Sequence, residues 1–171
     1  MTSSWERDFR RRVMALAASQ RASDGRVPVS IKVRVTSGCF HREHSPQAYS
    51  QIDARLSALR PDERTFTFEE HESGPELLVY VALTSAGITL ASAIINLVAA
   101  ILRARSEGVK AGDRPSDPLE LIVRTVRTRE QYVEAVVLRV GVRDRVDPTE
   151  IERRITEALR KLLEDRQGEG S

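Results

Sequence analysis

The sequence predicts an α+β fold: an antiparallel or mixed sheet of about four strands, a long central apolar helix, and flanking amphipathic helices. Three observations carry this. Four runs alternate apolar and polar residues with the period of two that a half-buried strand shows. Three others repeat apolar residues every three or four positions, as one face of a helix does. Finally, Leu77 to Leu102 holds no charged residue in a chain whose charged fraction is 30%.

The first run, "SSWERDFRRRVMALAASQ", places Trp5, Phe9, Val13 and Leu16 on one helical face behind Ser3 or Ser4 as cap. "VSIKVRVTS" sets Ile31, Val33 and Val35 against Ser30, Lys32 and Arg34, a strand with one buried face. "SPQAYSQIDARLSAL" has Ser45 as cap, proline at the first helical position, and Tyr49, Ile52, Leu56 and Leu59 at helical spacing. "RTFTFEEH" turns Phe66 and Phe68 inward as a second strand, closed by a Gly-Pro turn. "ELLVYVAL" suits a strand by composition, but Pro75 and Glu76 suit a helix start, and the balance falls to helix.

"LELIVRTVRT" and "QYVEAVVLRVGVRD" read as a hairpin, with Val136, Leu138, Val140 and Val142 on one face. "DPTEIERRITEALRKLLED" opens with Asp147 as cap, Pro148, and Glu150 in a position resembling a capping box, and carries Ile151, Ile155, Ala158, Leu159 and Leu162 as a stripe. The organisation expected is an N-terminal amphipathic helix over residues 1–24, one α+β domain over 27–165 and a flexible tail over 166–171.

The uncharged stretch can be tested against two environments. A membrane span needs about 20 apolar residues for a core of about 30 Å, a length the stretch has. The eight Leu, Ile and Val side chains between Ser85 and Arg103 give only about −2 to −5 kcal/mol toward insertion. In a protein core the same side chains gain about 1.5 to 3 kcal/mol each, so a core helix is preferred. A membrane-associating effector that inserts residues 77–102 is the alternative reading.

On a helical wheel Ser85, Thr89, Ser92, Asn96, Arg103 and Glu107 form one narrow polar edge. Ala86, Ala93 and Ala100 form a close-approach stripe. The edge is the expected contact surface, together with Arg7, Arg10 and Arg11 of the first helix. The partner expected is a protein or a second copy of the chain, with nucleic acid not indicated. Residues 1–36 hold eight Lys/Arg against three Asp/Glu, and residues 62–76 hold one against six; such segments can pair within or between molecules.

A single cysteine, Cys39, forbids an intramolecular disulfide and suits a reducing compartment, so a cytoplasmic location is expected, as is the absence of an export signal. Cys39, His41, His44 and His71 could converge as a metal site, although Cys-x-His-x-x-His is not a strong ligand spacing. No nucleophile elbow or phosphate-binding glycine loop occurs, so neither enzymatic activity nor a cofactor is expected.

From the second strand onward, "FTFEEHESGPELLVYVALTSAGITLASAIINLVAAILRAR" followed by "LELIVRTVRT" resembles the effector-associated constant components of bacterial conflict systems. The likeness is one of element order. A strand leads through Gly74-Pro75 to a short apolar helix at Leu77 to Leu83, a break at Ser85 to Gly87, a long alanine-rich helix at Ile88 to Arg105, and a hairpin from Leu119. It spans residues 29 to 143 and implies a non-enzymatic adaptor linking effector and sensor modules of a defence or signalling system.

Overall fold

Ile31, Val33, Leu121 and Val123 face the same side of one sheet, and the fold is built around that side. The computed structural model describes residues 7, 8, 10, 11, 14, 26–61, 66–71, 74–84, 87–126 and 132–168. In chain order these give β1 (Arg26–Val35), α1 (Pro46–Ala58), β2 (Phe66–His71), β3 (Gly74–Thr84), β4 (Gly87–Thr89), α2 (Ser92–Lys110), β5 (Leu119–Val126), β6 (Tyr132–Val140) and α3 (Pro148–Gly168). Arg7, Asp8, Arg10, Arg11 and Met14 are also helical. The α+β class is as the sequence predicts.

The sheet has the order β2-β3-β1-β5-β6, with β4 paired to β3, and every pairing is antiparallel. Its core face presents Val29, Ile31, Val33, Leu77, Val79, Val81, Leu119, Leu121 and Val123. The apolar sides of α1, α2 and α3 join those residues in a single hydrophobic cluster, through Ile52, Leu97, Ile101, Ile155 and Leu159 among others. Helices therefore layer one face of the sheet.

Two predicted elements differ. Residues 74–84 form a strand where a short helix is expected, and the reason lies in the opposite sheet face. Glu76, Leu77, Leu78 and Val79 are all buried, so β3 is covered on both sides and its sequence shows a continuous apolar run instead of an alternation. The uncharged stretch is accordingly divided among β3, β4 and α2, and no helix among the described residues is long and apolar enough to cross a membrane. The reading in which residues 77–102 insert as one helix is thereby corrected.

The β5–β6 hairpin is present, but its register shifts between Leu121, opposite Leu138, and Ile122, opposite Val136. Val137 is the extra residue of a bulge. Leu138 and Val140 stay on the core side, whereas Val136 passes to the other face and is 42% exposed. The expected common face of Val136, Leu138, Val140 and Val142 is broken there, and Val142 lies past the strand end.

Candidate interaction surface

The α2 helix buries most of its circumference, including Ile94, Ile95, Leu97, Val98, Ile101, Leu102, Ala104 and Arg105. What remains in solvent is a line of polar side chains at Ser92, Asn96, Arg103, Glu107 and Lys110, spaced as the sequence predicts for a polar edge. Thr89 is exposed too, but it belongs to β4, since the helix begins three residues later than it. Ser85 and Ala86 lie outside the described residues. Ala93 and Ala100 are half-buried.

At its C-terminal half this edge borders a concavity. A lobe of ≈ 370 Å³ is lined by Arg103, Ser106, Glu107, Lys110, Val142, Arg143, Asp144 and Val146. A second lobe of ≈ 650 Å³ shares Arg103 and Val146 and adds Arg145, Asp147 and Pro148. The 141–147 turn that forms the far wall is held by its own hydrogen bonds. Gly141 N–H donates to Asp144 Oδ2 at 2.6 Å, and Asp144 N–H to Gly141 O at 3.1 Å. Ser106 Oγ donates to Val142 O at 2.5 Å, tying the turn to α2.

Asp147 caps α3 as its position predicts: its Oδ1 accepts from Thr149 N–H at 3.0 Å, and its carbonyl accepts from Ile151 N–H at 3.1 Å. Glu150 does not complete a reciprocal box in the way its spacing suggests. Hydrogen bonds from Arg153 and then Arg154 engage its carboxylate and hold its pKa down to about 2.

The basic residues Arg103, Arg105 and Lys110 of α2 are divided by burial. Arg105 points inward and donates to Ser116 Oγ at 3.2 Å, to Ser116 O and to Asp117 O at 3.0 Å, fastening the loop after α2; burial lowers its pKa. Arg103 and Lys110 stay exposed, and Lys110 pairs with Glu107 at 2.9 Å. Of the expected surface arginines, Arg103 lines the groove. Arg7 and Arg11 are exposed and Arg10 half-buried, with Arg11 paired to Asp8 at 2.9 Å. Arg143 and Arg145 were not singled out by sequence: in a loop they carry no periodicity to mark them.

Cys39, His41, His44 and His71 do not gather into a ligand set. Among the described residues no group of three or more His, Cys, Asp or Glu side chains could hold a metal ion. The His41 carbonyl accepts from Ser45 N–H at 2.8 Å, the His44 ring lies 3.4 Å from Arg114 Nη1, and His71 sits opposite Gly74 across the β2–β3 turn. His41 and His44 share one turn, in which His44 N–H donates to the His41 carbonyl at 3.1 Å, while His71 stands on β2, so the four do not form the metal site that their types allow.

The other sheet face is buried over β1, β3 and β5, where charged side chains sit beside Leu78 and Ile122. Lys32 (5% exposed), Glu76 (1%) and Arg124 (2%) lie together there. Arg124 Nε donates to Glu134 at 3.0 Å, and its Nη1 is 3.8 Å from Glu76 Oε2. Neighbouring Glu120 bridges Arg34 at 2.8 Å and Arg139 at 2.9 Å, and the Arg34 hydrogen bond, followed by that from Arg139, lowers its pKa. Burial, reinforced by Arg124 and opposed by Glu76, lowers the Lys32 pKa to about 8.

Fold and surface together define an α+β domain with helices on the core face of its sheet and an arginine-lined groove at one edge of that layer. No family model, curated protein or solved structure matches the chain.

Proposed function

We propose that this chain is a non-enzymatic protein–protein interaction domain, an adaptor that links components of a bacterial defence or signalling system in the cytoplasm. Its contact surface is the polar edge of α2 continued into the groove beside the 141–147 turn. The observation that carries this reading is that continuity: Ser92, Asn96 and Arg103 remain in solvent along a helix otherwise buried, and Arg103 passes directly into the groove wall. Concave surfaces with charged rims on rigid elements are what partner recognition uses. The resemblance in element order to effector-associated constant components supports the same class of function.

Photo-crosslinking tests it. A benzophenone side chain placed at Asn96 in the full chain, expressed in its own cells, should yield a discrete adduct of defined mass, while the same group at Arg160, exposed on α3, should not. A homomeric adduct identifies self-association as the contact. Adducts from Arg160 with none from Ser92, Asn96 or Arg103 would overturn the placement of the surface.

A further inference from the structure

We infer that the groove takes an acidic peptide segment of the partner, its carboxylates held by Arg103, Arg143 and Arg145; this rests on the interaction-domain reading and adds the chemistry of the partner. The argument begins with which charges are already engaged. Glu107 is paired with Lys110 at 2.9 Å, Asp144 accepts the Gly141 N–H, and Asp147 caps α3. Each carboxylate on the groove thus has a local partner. Among the described residues, no ion pair engages Arg103, Arg143 or Arg145, and Arg103 reaches only the Val146 carbonyl, at 3.4 Å. Three guanidinium groups with donors to spare surround one concavity, and guanidinium forks match carboxylates in bidentate geometry.

The shape of the groove selects among anions. Arg143 lines one lobe and Arg145 the other, with Arg103 and Val146 between them. A small anion in either lobe meets only part of this set. An extended peptide places alternate side chains about 7 Å apart on one face, so two carboxylates can enter the two lobes while the side chain between them points away from the groove. A nucleic-acid strand fits worse. No aromatic side chain lines either lobe to stack a base, so such a strand would be held through its phosphates alone.

The test uses the full chain and a fluorescein-labelled peptide of alternating glutamate and valine. A lysine–valine peptide of equal length and a single-stranded oligonucleotide of equal charge serve as comparisons, all read by anisotropy at low ionic strength. The glutamate peptide should bind, the lysine peptide should not, and the oligonucleotide should bind more weakly. Exposed ion pairs each contribute a factor of roughly 1.5 to 5, so Arg143→Glu with Arg145→Glu should weaken binding about tenfold or more. Arg160→Glu with Lys161→Glu, which makes the same change in net charge at two exposed positions of α3 away from the groove, should leave affinity within about twofold. Matching thermal melts would show the variants fold alike.

The inference is overturned if the glutamate peptide gives no signal at concentrations on the order of 1 mM, if Arg160→Glu with Lys161→Glu weakens it equally, or if the oligonucleotide binds more tightly. An Asn96 adduct that persists alongside any of these results overturns the acidic-peptide chemistry and leaves the interaction-domain reading standing. Adducts from Arg160 with none from Ser92, Asn96 or Arg103 remove the placement of the surface and the inference with it.

Discussion

Replacing Asp113 with alanine should destabilise the domain by about 2 to 4 kcal/mol, because this carboxylate caps a helix far from it in sequence. The N-terminus of α1 can be accounted for donor by donor. Pro46 has no N–H, Tyr49 N–H donates to Ser45 O at 3.1 Å, and the remaining two, Gln47 and Ala48, donate to Asp113 Oδ1 and Oδ2 at 3.0 and 2.9 Å. Ser45 occupies the cap position that the sequence predicts, yet its side chain makes no capping bond. Asp113 is 5% exposed and the Ala48 N–H it accepts is buried, so the loss combines about 1 kcal/mol for the cap with about 1 to 3 kcal/mol for a buried donor left without its partner. With a urea m-value of about 1 to 3 kcal/mol/M, the midpoint should fall by roughly 1 to 2 M. Asp113→Asn keeps one acceptor and should lose about half as much. Ser45→Ala should cost under about 1 kcal/mol, and an Asp113→Ala midpoint shift no larger than that of Ser45→Ala would refute the assignment of the cap to Asp113.

Two further substitutions probe the same fold. A Cβ at Gly108 would lie 2.2 Å from Asp113 Oδ2 and 2.9 Å from Ala48 N, so Gly108→Ala should lose about 1 to 3 kcal/mol by overpacking instead of gaining the usual helix benefit; a raised melting temperature would show that α1 and α2 do not meet so closely there. Lys32 is the pH-dependent case. Its folded pKa of about 8 lies below the ordinary 10.5, so between those values the unfolded chain binds more protons and stability rises with pH, while below pH 8 the cost of burying the cation is fully present. That cost is at most about 3 kcal/mol. Lys32→Met should be neutral or stabilising at pH 7 and should flatten the rise in urea-unfolding free energy between pH 8 and 10; an unchanged slope would show that Lys32 is not the group responsible.

The sequence reading succeeds where the two faces of an element differ in residue type and fails where both are apolar or where the partner is distant. β1 and β5 are buried on both faces, but Ser30, Lys32, Glu120 and Arg124 mark the face away from the helices as polar, so an alternation survives, and α3 announces itself through Asp147, Pro148 and a regular stripe. β3 hides because Leu77 and Val79 face the helices while Glu76 and Leu78 are buried on the reverse side, so no period of two survives. Val136 is misplaced because a bulge changes the count by one residue without changing the alternation of types. Of the candidate surface, the α2 edge is legible from spacing alone. The groove wall at Arg143 and Arg145 is not, since its position depends on a turn whose contacts with α2 are tertiary.

Those contacts bear on how the surface works. The C-terminal half of α2 is fixed from two directions: Arg105 is fastened to Ser116 and Asp117, and Gly108 lets α1 approach while Asp113 N–H donates to Gly108 O at 2.9 Å. On the other side, Ser106 fastens the 141–147 turn, which its own Asp144 closes. Arg103 is therefore presented from a helix tied on two sides, and Arg143 and Arg145 from a turn closed by hydrogen bonds of its own. A surface arranged this way loses little conformational freedom on binding, so the favourable part of each arginine contact is not spent on ordering backbone. It follows that substitutions at Arg143 and Arg145 act on affinity with the fold unchanged, whereas substitutions at Arg105, Gly108 or Asp113 act on the fold first and reach the groove only through it.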